Sequence, residues 1–262
     1  MGLNNYNVGT KLPDSITLAS NNNSDIKIIH KFGFTPTPPV AGDLFQLWDK
    51  GIIYTYATTA VTLGVSSSDA KDTSAGVGAR TVEIQGLDAD YEELSETVTL
   101  NGKIKVESTN KFLRVFRVKV LTAGSEGDNA GMIYIYDTAS AVIAGVPQTA
   151  SKIMAAITVG YNQTNMAIYT IPAGYTGFLI NVWGAMNARS NKYADIQMYR
   201  REYGSVFQNK FVYGINGAGA YFQRHFTIAE KIEEKTDIEL KTICDSATTR
   251  ISGGFDILLV KN

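Results

Sequence analysis

Cysteine is almost missing: Cys244 is the one example in 262 residues, so an internal disulfide is excluded. A single thiol with no histidine near it in sequence reads as a small apolar residue, not a nucleophile. It also fits synthesis in a reducing compartment. Histidine is nearly as scarce. His30 and His225 lie far apart and form no ligand-spaced pair, which argues against zinc and against imidazole catalysis. No apolar run approaches the roughly 18 residues that cross a membrane. The opening MGLNNYNVGTKLPDS has no apolar stretch of the secretory kind, and Tyr6 stands where a myristoylation signal wants Ser or Thr. A charge surplus is missing too. The 24 basic residues meet 25 acidic ones, which argues against a nucleic-acid binder acting through bulk charge and leaves open only a local basic patch. Amphipathic helical periodicity is absent beyond about two turns anywhere in the chain.

What the chain does have is alternation. The stretch from Gly78 to Gly102, GARTVEIQGLDADYEELSETVTLNG, reads as strand, turn, strand. Val82 and Ile84 take one face against Thr81, Glu83 and Gln85; Leu94, Val98 and Leu100 take one face against Ser95, Thr97 and Thr99. Period two marks a half-buried strand. The Gly and Asp residues of the intervening GLDADYEE tolerate turn geometry. The 24 Gly and 14 Tyr suit a β-rich, turn-rich chain.

Four segments follow. Residues 1–45 read as an extended N-terminal arm: asparagines, a strand-like Ile26–Phe32, then prolines at 36, 38 and 39 that interrupt a ladder. Such an arm pairs with a neighbouring subunit's sheet, wraps its own domain or is simply mobile. Residues 46–145 read as a β-sandwich domain with strands at 52–56, 60–65, 81–85, 94–100, 104–107, 112–121 and 132–136. Strands recurring every ten or so residues between turn signals indicate a sandwich or barrel. Residues 146–165 join the halves, with a short helix or strand around Ile153–Val159. Residues 166–262 read as a second β-sandwich or jelly-roll-like domain, with strands at 178–186, 194–203, 206–213, 221–228, 238–243 and 254–260. The expected fold class is all-β: two antiparallel sandwiches behind an arm.

Reactive constellations are weak. Asp88, Asp90, Glu92 and Glu93 cluster, but the spacing lacks the glycine and the final glutamate of a calcium loop, so a solvated hairpin tip is expected. Gly214, Gly217 and Gly219 lack a following Lys-Ser/Thr and a helix, so they read as a β–β loop and not as a phosphate cradle. No catalytic residue, cofactor or metal is expected. One dense aromatic–basic cluster stands out: Tyr199, Arg200, Arg201, Tyr203, Phe207 and Lys210. Alternation puts Ile196, Met198 and Arg200 on a core face, with Arg200 reaching water at the strand end. Tyr199, Arg201 and Tyr203 then form an outward stripe. Aromatic and arginine side chains of this kind centre protein interfaces, so Tyr199, Arg201, Tyr203 and Phe207 are the interface candidates.

Several phrases carry a resemblance. IHKFGFTP at 29–36, DTSAGVGARTVEIQGLDADYEELSETVTLNG at 72–102, MAIYTIPAGYTGFLINVWGAMN at 166–187, REYGSVFQNKFVYGINGAG at 201–219 and GGFDILLV at 253–260 are the ones. Together with the order of arm and two β domains, they make the chain similar to a group of structural proteins of tailed bacteriophages, chiefly marine and freshwater ones. The resemblance implies a non-enzymatic virion protein assembled in the host cytoplasm. Its expected role is capsid decoration, or cement, or association with the neck. Its partners would be major capsid or neck and tail proteins and copies of itself, with no nucleic acid and no membrane. The alternative is a tail or fibre adhesion module that binds a host-surface glycan through tyrosines of the second domain. The proline-rich arm departs from the acidic connector expected of the group.

Overall fold

A computed structural model describes residues 25–35, 41–50, 53–188, 192–245 and 249–262. The asparagine-rich residues 1–24, the prolines at 36–39 and Ile52 fall outside them. Strands make up 62% of the described residues, and every pairing among them is antiparallel, so the fold is all-β. In chain order the first strands are β1 (Ile26–Thr35), β2 (Phe45–Gln46), β3 (Val61–Ser67), β4 (Ala79–Leu87), β5 (Glu93–Thr99) and β6 (Val106–Phe112). Next come β7 (Arg114–Ala123), β8 (Ile133–Asp137), the small hairpin β9 (Val142–Ile143) and β10 (Val146–Pro147), and β11 (Ile153–Ile157). The remainder is β12 (Ile168–Thr170), β13 (Tyr175–Asn187), β14 (Lys192–Arg201), β15 (Gln208–Gly217), β16 (Tyr221–Ile232), β17 (Asp237–Cys244) and β18 (Arg250–Lys261).

Two sheets make the first sandwich, ordered β11-β8-β3-β6 and β5-β4-β7. The hairpin foreseen at 78–102 is β4 against β5, with Val82 opposite Val98. Val82, Ile84 and Val98 turn into a core with Leu63, Val65, Ile133, Ile135 and Tyr136. Each large aliphatic side chain taken fully from water stabilises the fold by about 1.5–3 kcal/mol. The stretch read as a join, 146–165, carries β11, whose five residues are all buried beside β8. Its run Ile-Met-Ala-Ala-Ile has no alternation because both of its faces are covered. The strand expected at 52–56 is not formed: residues 53–57 are irregular. Tyr54 N–H donates to the Gln46 side chain at 3.0 Å and not to a neighbouring strand. The alternation that looked like a strand sends Tyr54 and Tyr56 inward from an irregular segment.

The second sandwich stacks β1-β18-β13-β16 on β12-β17-β14-β15, with β2 also on β17. Strand β1, from the stretch read as an arm, lies along β18 from Ile26 opposite Val260 to Thr35 opposite Ile251. Its partner is thus this chain's own sheet. Gly33 is needed there, because a Cβ would fall 2.1 Å from the Leu47 carbonyl oxygen.

The two cores meet along one shared wall. In the segments 45–48 and 166–171, successive side chains point to opposite sides, as pleating dictates. Phe45, Leu47, Ala167, Tyr169 and Ile171 enter the second core, while Trp48, Met166 and Ile168 enter the first. Leu47 N–H bonds Leu240 O at 2.9 Å, and Ala167 N–H bonds Leu47 O at 2.9 Å, so the wall is continuous sheet. Cys244 is fully buried in the second core.

Candidate functional site

Strand β17 places alternate residues on two different surfaces. Ile238 and Leu240 go to the core, and Asp237, Glu239 and Lys241 go to the opposite face. On the neighbouring β14, Arg201 stands across from Asp237, Tyr199 from Glu239 and Gln197 from Lys241. Cross-strand neighbours of this kind interact directly. This face is closed over by the first sandwich through Arg114, at the start of β7, and by Tyr56.

Asp237 is the centre. Its Oδ1 accepts from Arg114 Nε at 2.9 Å and from Thr170 Oγ1 at 2.6 Å. Its Oδ2 accepts from Arg114 Nη2 at 3.2 Å and from Arg201 Nε and Nη2 at 3.0 and 2.6 Å. The remaining Arg114 nitrogen donates to Ala57 O and Leu113 O at 2.8 and 3.0 Å. Burial alone would lower the Arg114 pKa, but hydrogen bonding and charge from Asp237 outweigh it and raise the value. Glu239 accepts from Gln46 Nε2 at 3.2 Å and from Tyr56 Oη at 3.0 Å, and it pairs with Lys241 at 2.8 Å. Burial, reinforced by Glu239 and Asp237, pushes the Tyr56 phenol well above its ordinary value, so it stays a proton donor.

All four interface candidates gather here, but only one of them faces out. Tyr199 is half-buried, donates to Gln197 Oε1 at 3.0 Å and lies under Lys241 Nζ, 4.5 Å from its ring centre. Phe207 is half-buried against the Arg201 guanidinium, 4.5 Å away, and the Tyr56 ring, 5.2 Å away. Arg201 is held by Asp237, so the outward Tyr–Arg–Tyr stripe foreseen from alternation is an ion-paired seam at its middle. Tyr203 alone is well exposed, at 69%, on a turn closed by Ser205 N–H to Glu202 O at 2.9 Å. Gly204, at φ 73°, supplies the positive dihedral that the turn needs. Arg200 reaches water only in small part. It pairs with Glu230 of β16, and its side chain is 12% exposed. Alternation in sequence had no means of showing a carboxylate delivered by the facing sheet.

Sequence reasoning missed Arg114, Asp237, Tyr56, Tyr91 and Lys235. The signal available was the charged face of DIELK in β17, which reads as solvated until the first sandwich covers it. A pocket of about 250 Å³ opens at the mouth of this seam, between Tyr91, Tyr203, Lys235, Arg114 and Arg201. At the hairpin tip, Asp88 Oδ1 accepts from the N–H groups of Asp90 and Glu92 at 2.9 and 3.0 Å, a turn-capping arrangement. Among the described residues, no three His, Cys, Asp or Glu side chains gather closely enough to hold a metal. His30 is exposed and contacts Asp256 at 2.8 Å.

The second distinctive surface is the rim where β15 and β16 end their sheets. Phe211, Tyr213, Phe222 and Phe226 lie partly buried along it, with Tyr213 stacked on Phe222 at 4.5 Å. Val212, Tyr221 and Ile228 are exposed at 52, 78 and 86%. Between the pairs Leu179–Glu230 and Asn181–His225, four residues of β16 face a single residue of β13. This bulge turns Ile228 out of its own core.

No protein-family model and no curated protein matches the chain. Among solved structures it is similar to infectious bursal disease virus, Gx strain, at 10% identity over 90% of this chain and 72% of that one, TM-score 0.25. The VP2 subviral particle of the same virus matches at 9% identity over 90% and 73%, TM-score 0.21. A bacterial lipoprotein from Bacteroides thetaiotaomicron matches at 11% identity over 90% and 96%, TM-score 0.19. At such scores none of the three carries fold or function over to this chain.

Proposed function

We propose that this chain is a non-enzymatic structural protein of a tailed-phage virion, a capsid decoration or neck-associated protein assembled in the host cytoplasm. The observation that carries the reading is the β15–β16 rim. Two strands end their sheets there with open backbone edges, and Val212, Tyr221 and Ile228 stand out of the core. An exposed apolar edge is an aggregation hazard unless a partner covers it. A repeated lattice covers it many times over, and multivalency turns a weak edge contact into stable attachment. The resemblance of its phrases to those of tailed-phage structural proteins supports the same reading. The partners are copies of the chain and capsid or neck proteins.

The test is the size of the purified protein by light scattering. Self-association that is lost in Val212→Lys with Ile228→Lys supports the reading. A wild type that stays monomeric at working concentrations, alone and with its particle's shell and neck proteins, contradicts it. A second reading, a tail or fibre adhesion module for a host-surface glycan, is favoured by the pocket between Tyr91, Tyr203 and Lys235.

A further inference from the structure

The seam pocket has three properties that together specify a ligand. First, its lining holds three cationic side chains, Arg114, Arg201 and Lys235, against two carboxylates, Asp237 and Glu202. Asp237 is already shared by both guanidinium groups, and Glu202 is exposed to solvent. Among the described residues, no carboxylate lies within ion-pair range of Lys235. Its Nζ sits instead 5.7 Å from the centre of the Tyr91 ring and 5.4 Å from that of Tyr203. Arg201 Nη1 likewise has no hydrogen-bond acceptor among the described residues. The pocket therefore carries an unmatched positive charge beside free donors.

Second, its walls are aromatic. Tyr91 and Tyr203 meet edge to face, with ring centres 5.7 Å apart at 90°, and Tyr203 presents its ring to solvent. A small hydrated anion gains little from such walls, whereas a sugar lays its C–H face on them and its hydroxyls against the phenols. Third, the backbone is strained in order to build the pocket. Four non-glycine residues among those described have positive φ, and two of them, Tyr91 at 66° and Lys235 at 61°, are the residues whose side chains meet here. Neither tyrosine nor lysine favours that region, and strain of this kind gathers at ligand sites. Ala173 N–H to Tyr91 O at 2.9 Å and Lys235 N–H to Ile171 O at 2.8 Å pin both residues to the second sandwich.

We propose that this pocket binds one carboxylate-bearing sugar ring, with the carboxylate on Lys235 and Arg201 and the ring on Tyr203 and Tyr91. Its volume of about 250 Å³ falls below the range of drug-sized sites, which suits a single ring of a longer chain. The inference deepens the adhesion reading given above, and it is tested on the isolated protein, independently of where the chain sits in a particle.

The experiment is calorimetric titration of the full chain with a trigalacturonate, a neutral galactose trimer and inorganic phosphate. The acidic trimer is expected to bind with about millimolar affinity, at least about tenfold more tightly than the neutral one, and more weakly as salt is added. Lys235→Gln and Tyr203→Ala should each weaken binding by about tenfold. Tyr203→Ala should leave the melting temperature unchanged, because its side chain is exposed. No binding of the acidic trimer, equal binding of the neutral trimer, competition by phosphate at equal strength, or full binding by both variants would each overturn the proposal. In any of those cases the light-scattering test of the rim still stands by itself.

Discussion

In the first sandwich, β8 and β11 bury nine of their ten residues, whereas β15 buries one of its ten and β16 one of its twelve. The outer strands, QNKFVYGING and YFQRHFTIAEKI, are more polar, but they carry large apolar residues too. Val212 and Ile228 are about as apolar as Ile133, Ile135 and Ile157, yet the first two meet water and the last three do not. Burial in the first sandwich is accounted for by folding. The outward side chains of Val212, Tyr221 and Ile228 add little to folding, because most of their surface faces water. That difference separates residues that hold the fold together from residues that remain available to a partner. The buried centre of the seam, Arg114 with Asp237, belongs with the first group, although its charges would suggest the second.

The comparison breaks most sharply at Asp237. Asp237→Ala leaves the Arg114 guanidinium, 6% exposed, without its counter-charge. The loss should be about 4 kcal/mol, read as a shift in the denaturant midpoint, because an unpaired buried charge costs more than the pair contributed. A loss within experimental error would mean that the two sandwiches are not tied through this seam.

Asp49 comes next. Burial pushes its carboxyl up from 3.8 to about 6, against the lowering influence of Thr158 and Asn165. The folded state therefore holds this proton more tightly than the unfolded chain does. The associated stability is fully present below 3.8 and is lost as pH rises through about 6. Denaturation midpoints followed from about pH 4 to about pH 7 should show a fall of roughly 2–3 kcal/mol from this group. Asp49→Asn should flatten that part of the curve; an unchanged slope would remove Asp49 from the account.

Arg201 is intermediate. Arg201→Ala removes two hydrogen bonds to Asp237 but leaves those from Arg114 and Thr170. A cost of about 1.5 kcal/mol in stability is expected, with association unchanged. This is the reverse of what an outward stripe would give. Smallest in folding is Ile228→Lys at the rim, within about 0.5 kcal/mol of wild type, since surface changes away from packed groups do little. Its effect should appear only in association.

The contrast between these positions also explains what the sequence disclosed. Period two in Thr81–Gln85 and Ala194–Met198 was legible because one face of each strand is wet or polar and the other is core. The β11 run was harder to assign, since covering both faces erases the alternation. The strand expected at 52–56 was mimicked by inward tyrosines, and nothing local announced that the Gln46 side chain would take the Tyr54 N–H. At the site, the clustering of Tyr199, Arg201, Tyr203 and Phe207 was visible, but the partners of Arg201 were not. Asp237 lies 36 residues further along the chain, and it reaches Arg114 across 123. Pairings of that span are set by topology, and no local pattern encodes them.

Under the proposed function, electron cryomicroscopy of a tailed-phage particle encoding this chain tests the central claim most directly. The structural reading predicts density for this chain in regular copies on the shell or neck, with Val212, Tyr221 and Ile228 covered by a neighbouring subunit. A particle without the chain, or one in which the β15–β16 rim faces solvent in every copy, would contradict it.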